Sequence, residues 1–495
     1  MLRALVRSVL LALAAAIPAF CAAQQAGSTG AATSPPAVGS PSAQLPGGAL
    51  PGGVEPIPGL TGADTGLGPM PADYTRYGVA AGIGASDNIN LSATQRKAQA
   101  LTAANFFFDL IRTGSRLQLS ALGNFSDIDY LEHAYGNQVL GRFDGIANLD
   151  IWKNHLKWLV RDDYGDTQVD IQEALTPRNL QRVNVFSTGP DLMLRPTISS
   201  FVELQGLYSR SAYQTSPFDG QSEMGSFTLG HEFSPSSSLS LVGQVQQEHF
   251  EDRLVNTNYE IRRYFGHYEL KGARTHVDLR GGLGQSNDTG SWKSSPIVGL
   301  SITRDISPYS SISLSGGRDY SNATKSFAAL ASSLTGDITV GPAAQTTANA
   351  VRTYGNASWG FHRLRTTFDV YGGWERNEYA RGSQFDVIRS DVGLRLGRRL
   401  SQRFSANILA SAYRARYVEQ AFTDTIGTLG GNLIYRPGKW VVISGRYDHQ
   451  FRRPSGGVSH DLGYDENRVF IMIGYYPHSS GTGAPGESGM GGGIP

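Results

Sequence analysis

The stretch Val441-Val442-Ile443-Ser444-Gly445-Arg446-Tyr447-Asp448-His449-Gln450 decides the fold. Val441, Ile443, Gly445 and Tyr447 fall on one parity; Ser444, Arg446, Asp448 and Gln450 fall on the other. Successive strand residues point to opposite faces, so this is a strand with one apolar and one polar face. The same texture sets Val277, Leu279, Gly281 and Leu283 against Asp278, Arg280, Gly282 and Gly284. It also sets Val392, Leu394 and Leu396 against Arg389, Asp391, Gly393 and Arg395. Alternation alone fits a soluble sandwich as well as a membrane barrel, because an apolar face can meet a protein core or lipid.

Three further features favour the barrel. Many alternating segments run ten or more residues, beyond the usual five or six of soluble strands. The apolar faces carry Gly and Ala beside Leu and Val. Connections also alternate between short and long. The short ones are Arg112–Arg116, Trp152–His155, Leu194–Ile198, Phe233–Ser238, Leu270–Arg274, Arg304–Ser310, Phe361–Leu364, Gly397–Arg403 and Tyr435–Lys439. The long ones lie near 86–100, 126–141, 163–180, 212–222, 249–257, 285–293, 321–351, 377–385, 418–425 and 452–467. Nine turns and ten loops join twenty strands, and an even count with this rhythm is the pattern of bacterial outer-membrane barrels. The expected fold is therefore all-β: a single transmembrane antiparallel β-barrel of about 18–20 strands, both termini periplasmic.

Composition agrees. The chain has 495 residues with 40% hydrophobic, 10% aromatic and 60 glycines, and a mean hydropathy of −0.25. A barrel needs lipid-facing residues only at alternate positions, so it need not be apolar overall. Beyond the first twenty residues there is no apolar run of the ~18 residues that a membrane helix requires. The formal charge is +1, and losing Arg3 and Arg7 with the leader takes it to −1. That excludes a strongly basic nucleic-acid binder. The single cysteine, Cys21, sits in the leader, so the exported chain would have no disulfide, thiol nucleophile or cysteine metal site.

Residues 1–23 read as a cleaved signal peptide: Arg3 and Arg7, an apolar Val9–Phe20 stretch, then Cys21-Ala22-Ala23 before Gln24. Bulky Phe20 disfavours acylation of Cys21. Residues 24–72 are rich in Gly, Pro, Ser, Ala and Thr and read as a disordered linker. Residues 73–477 carry the barrel texture, and 478–495 a flexible Gly-rich tail. No plug domain is expected ahead of the barrel, since residues 24–72 cannot bury a core. The 321–351 loop is the candidate for an inward constriction, with an ordinary outer loop as the other reading.

The candidate lumen-lining residues are Lys157, Arg161, Glu203, Asp278, Arg280, Asp369, Glu375, Arg389, Asp391, Arg395, Arg446 and Asp448, joined by Gln244, Gln246 and Glu248. Opposite charges across strands brace a large barrel; the same rows also set selectivity along a solute path. Arginine dominates the basic residues and suits an acidic solute such as an anionic sugar polymer. No catalytic site is expected. G-x-S-x-G, H-E-x-x-H and phosphate-loop motifs are absent, as is metal-ligand spacing among the ten histidines. His231-Glu232 would place the pair on opposite faces of a strand, and His249 with Glu251 is the other near approach to an acid–base pair. No cofactor is expected.

The stretches Asp87-Asn88-Ile89-Asn90-Leu91, Ser187-Thr188-Gly189-Pro190-Asp191-Leu192 with Leu194-Arg195-Pro196, and Ser311-Ile312-Ser313-Leu314-Ser315-Gly316-Gly317 resemble the outer-membrane β-barrel porin family found near exopolysaccharide and PEP-CTERM protein-sorting loci of Gram-negative bacteria. The resemblance runs from about Tyr74 to Tyr476. It implies a porin-like channel or guide linked to exopolysaccharide export. The expected partners are outer-membrane lipid and a polysaccharide or its export machinery. The alternatives are a structural barrel that scaffolds a secretion partner and, less favoured, a membrane-embedded hydrolase. One departure from outer-membrane proteins is the chain end: the closing strand, Arg468–Tyr476, is followed by a tail, so Tyr475 or Tyr476 would have to act internally as the terminal aromatic.

Overall fold

In a computed structural model, which describes residues 74–170, 173–288, 290–321, 347–456 and 462–477, the chain forms twenty antiparallel strands. They are β1 (Tyr74–Ser86), β2 (Gln99–Thr113), β3 (Leu117–Tyr130), β4 (Gln138–Trp152), β5 (Leu156–Gln168), β6 (Leu180–Leu194), β7 (Ser200–Tyr213), β8 (Gly220–Ser234), β9 (Ser237–Phe250) and β10 (Tyr259–Lys271). The second half continues with β11 (Thr275–Asn287), β12 (Trp292–Ser307), β13 (Ser310–Ser321), β14 (Ala350–Arg363), β15 (Thr366–Tyr379), β16 (Val387–Arg399), β17 (Phe404–Tyr417), β18 (Phe422–Tyr435), β19 (Val441–Gly456) and β20 (Tyr464–Tyr475). Each strand pairs with its sequence neighbours, and β20 returns to β1 with the register Val79↔Tyr475 through Ser86↔Arg468. The sheet closes on itself and leaves no free edge. The leader, the linker, the Gly-rich tail and most of the 321–351 loop lie outside the described residues.

Register fixes the two faces. On β20 and β1, Tyr475, Ile473, Ile471 and Val469 stand opposite Val79, Ala81, Ile83 and Ala85. Ile83 is 63% and Ile471 54% exposed. The same parity carries Leu241 on β9, Leu283 on β11, Val392 on β16 and Leu429 on β18, all exposed. Around the whole barrel the exposed large apolar side chains of the strands thus point outward, which in water would be a liability and in lipid is a solvent match. Aromatic rings settle on outward glycines across the strand pair: a Cβ on Gly123 would lie 2.3 Å from the Phe108 ring, and one on Gly141 2.5 Å from the Phe125 ring. A larger residue at either position would displace the ring.

Strands of 12 to 16 residues at ~3.3 Å per residue and ~40° tilt stand roughly 30–40 Å tall. That exceeds the ~25 Å apolar band of a membrane barrel. The surplus is on the long-loop end. It is why β19 runs on to Gly456 and β18 begins at Phe422, inside segments read from sequence as loops. The short turn expected at Phe361–Leu364 falls slightly later. β14 continues to Arg363, and Leu364 turns the chain with a φ of 30°.

These faces predict a directional mutational result. Ile471→Arg on the outward face should cost about 2–4 kcal/mol of unfolding free energy in a lipid bilayer. Ser301→Arg on the inward face should cost less than about 1 kcal/mol, because that face meets polar groups. Urea unfolding of the reconstituted variants measures both.

Candidate functional site

The inward face is built from alternate positions of every strand. Its charged side chains are arranged in bonded groups. On β4 and β5, Arg161 donates through Nε and Nη2 to Asp163 at 2.8 Å each and through Nη2 to Asp144 at 3.5 Å. Nearer the turn end, Asp191 and Glu203 share a hydrogen bond within electrostatic reach of Lys157. Arg76 on β1 pairs with Asp109 on β2.

Farther round, Arg263 donates through Nη1 to Gln244 Oε1 at 3.0 Å and Gln246 Oε1 at 3.1 Å, while Gln246 Nε2 donates to Glu248 at 2.6 Å. His267 and Asp278 lie 2.6 Å apart, with Arg280 Nε 3.6 Å from the same carboxylate. His362 meets Asp369 at 2.7 Å, and Arg395 sits in register with Asp369. Glu375 accepts from Arg352 at 2.7 Å, Arg389 at 3.0 Å and Asn377 at 2.9 Å. Asp391 follows on the same row, in register with Gly373 and Tyr413. Arg446 and Asp448 pair at 2.6 Å. Between the charged groups run hydroxyl and amide rows, such as Ser301–Ser315–Asn356 and Thr303–Ser313–Ser358 across β12, β13 and β14.

All the charged residues and glutamines singled out in the sequence share this inward parity. Several inward residues of equal weight were missed. Asp163, Asp424, Arg452 and Glu466 fall within ranges read as long loops, yet the strands extend through them. Arg452 holds Asp424 at 2.8 Å and is 2% exposed; Glu466 is fully buried and accepts from Ser86 Oγ at 2.6 Å. Continuing the two-residue period past the expected strand ends would have found them. The two His–Glu pairs do not form acid–base sites. His231 meets Ser200 Oγ at 3.1 Å while Glu232 binds Arg195 at 3.0 Å. His249 meets Asn258 while Glu251 pairs with Arg210.

At the long-loop end the inner mouth is lined by folded-in loop chain. Ile89 and Leu91 of the β1–β2 loop and Leu175 of the β5–β6 loop pack with Leu101, Ile128, Tyr130, Leu140, Tyr464 and Phe470. Leu101, Ile128 and Leu140 carry inward parity, so these loops lie against the inside of the wall. Asn179 secures the second loop, donating to Asp170 O at 2.6 Å and Ala174 O at 3.1 Å. Arg452 Nη1 reaches from β19 to Glu173 O at 2.7 Å. Asn88 Nδ2 ties the first loop to Asp465 O at 2.8 Å. Among the described residues the inward narrowing comes from these two loops, and most of the 321–351 segment lies outside those residues.

Two results are expected. Leu175→Asp puts a carboxylate into this apolar cluster, forfeiting about 2 kcal/mol of burial. It should make the 169–179 loop susceptible to limited proteolysis while the barrel itself stays intact on a gel. Glu375→Gln leaves Arg352 and Arg389 without their carboxylate. It should cost about 3 kcal/mol in denaturant unfolding, against almost no change for the exposed pair variant Glu251→Gln.

No family model matches this sequence, and no curated protein matches it. Among solved structures the chain is similar to the FrpB iron transporter from Neisseria meningitidis (F3-3 variant), at 7% identity over 81% of each chain with a TM-score of 0.41. It is similar also to the ferric enterobactin receptor PfeA from Pseudomonas aeruginosa, at 9% identity over 81% of this chain and 80% of that one, TM-score 0.42. A third similarity is to OccAB4 from Acinetobacter baumannii, at 8% identity over 82% and 99% of the two chains, TM-score 0.37. At such scores the assignment rests on register and closure in this chain itself: it is a closed, twenty-stranded antiparallel β-barrel with a polar inner face.

Proposed function

We propose that this chain is an outer-membrane channel that passes or guides a hydrophilic solute. The observation that carries the reading is the contrast between faces: exposed apolar side chains outside, and hydrogen-bonded ion pairs and hydroxyl rows inside. A structural barrel needs only the first contrast. Polar rows that run across neighbouring strands, such as Asp278–Ser301–Ser315–Asn356, also offer a hydrated solute hydrogen-bond partners. Leu175 and Ile89 then narrow the outer mouth and limit which solutes enter.

The solute class follows from the resemblance to barrels near exopolysaccharide loci and from the chemistry of the wall. Hydroxyl and amide rows beside Tyr354, Tyr371 and Tyr413 suit the hydroxyls and apolar faces of a sugar chain. Arginines held by carboxylates, as in Arg352–Glu375–Arg389, present donors without a strong net charge. A polysaccharide strand, neutral or weakly acidic, is the solute these features favour, and its export machinery would be the periplasmic partner.

Reconstitution in a planar bilayer tests the channel. Discrete conductance steps are expected, with brief interruptions when oligosaccharides are added. Leu175→Ala should raise the conductance by loosening the mouth. A correctly folded barrel that inserts but never conducts, in the native form and in the Leu175 variant, would contradict the channel and leave a scaffold role.

A further inference from the structure

We propose that Asp288 and Asn349 form a site for a hard divalent cation of the Ca²⁺ class at the loop end of β11–β15. Asp288 is 7% and Asn349 1% exposed. Both carboxylate oxygens of Asp288 and the Oδ1 of Asn349 are sealed from solvent and accept no hydrogen bond from the described residues. A buried carboxylate with no donor is otherwise rare, because dehydrating it without a partner is unfavourable.

The two residues are drawn together by one loop. Arg381 Nη2 donates to Asp288 O at 2.9 Å, and the neighbouring Ala380 N donates to Asn349 O at 2.9 Å. The Asn349 amide nitrogen is already committed to Ser286 Oγ, two residues before Asp288, which leaves Oδ1 as the free end of the side chain. The three oxygens without a donor thus belong to the β11–β12 loop and the approach to β14, two segments that these bonds tie to each other and to the β15–β16 loop.

The nearest cation is Lys293, whose Nζ lies 4.0 Å from Asp288 Oδ1. That is outside hydrogen-bond reach, and its side chain is 55% exposed, so it can swing into solvent. All the available donors are oxygen, which selects hard cations over zinc or copper. One carboxylate and one amide oxygen, completed by water carried in with the ion as the loops open, make an irregular shell, which Ca²⁺ accepts and Mg²⁺, with its strict octahedron, does not. Among the described residues no three His, Cys, Asp or Glu cluster as metal ligands; this site needs only one carboxylate. Its affinity belongs with extracellular sites, a Kd on the order of 10⁻⁴–10⁻³ M. Occupancy would cross-link three outer loops.

Terbium luminescence on the folded full-length protein tests the site. Tyr320, within electrostatic reach of Asp288 and donating to Lys293 O at 3.1 Å, serves as the sensitising ring. The expected result is tyrosine-excited Tb³⁺ emission that Ca²⁺ competes away. Asp288→Asn should weaken binding at least tenfold, and Lys293→Met should tighten it several-fold by removing the competing ammonium. Heat-modifiable migration checks the fold of each variant, and Lys293→Met keeps the test decisive where Asp288→Asn does not fold. Absence of Ca²⁺-competed emission in the native protein, emission unchanged in Asp288→Asn, or weaker binding in Lys293→Met would each overturn the proposal.

Discussion

The structure depends on closure of the hydrogen-bonded sheet between β1 and β20. An apolar medium offers nothing to an unpaired backbone N–H or C=O, so a spanning sheet must have no edge. The eight register pairs from Val79↔Tyr475 to Ser86↔Arg468 supply that last seam. It is shorter than its neighbours, since β1 pairs with β2 over its full length, Tyr74↔Ile111 through Ser86↔Gln99. Below Val79 the wall relies on packing. Tyr476 lies against Phe107 with ring centroids 5.4 Å apart, and its N–H bonds Trp440 O at 2.7 Å. A Cβ on Gly78 would come within 2.2 Å of the Tyr476 ring, so only glycine lets the ring close this corner.

Once the sheet is closed, parity decides everything else. A residue whose number shifts by one changes medium, from lipid to lumen. The outward row can hold Ile, Val, Leu and aromatics without regard to partners. The inward row pairs most of its charges, across neighbouring strands as Arg389 does with Glu375, or along one strand as Arg446 does with Asp448. Such networks stiffen a wide wall. The same groups face the lumen, so bracing and the proposed passage of a solute would use one surface.

The sequence makes strand number, connection order and face readable because the two-residue period persists through each strand. Val441–Gln450 and Val387–Arg399 can be assigned residue by residue from their alternation. The exact strand ends are not readable in the same way. Beyond the bilayer the outward face meets water, the apolar signal fades, and segments holding Asp163, Asp424, Arg452 and Glu466 look like loop although they are paired strand. The infolding of Leu175 was hidden for a related reason: its partners, from Ile89 to Phe470, are far apart in sequence and meet only after closure. The proposed Asp288–Asn349 site has no local signature at all, because both residues are single polar positions beside turns.

The account stands on the assignment of alternate residues to lipid and lumen, and a nitroxide scan along β20 tests it most directly. Single cysteines at positions 469 to 474, in a Cys21→Ser background, would be spin-labelled and the protein reconstituted into bilayers. Labels at Val469, Ile471 and Ile473 should collide with dissolved oxygen, which concentrates in lipid. Labels at Phe470, Met472 and Gly474 should collide preferentially with a water-soluble nickel reagent or be shielded from both. A two-residue oscillation in that order is the predicted result; equal water access at every position, or the opposite phase, would contradict the barrel as described.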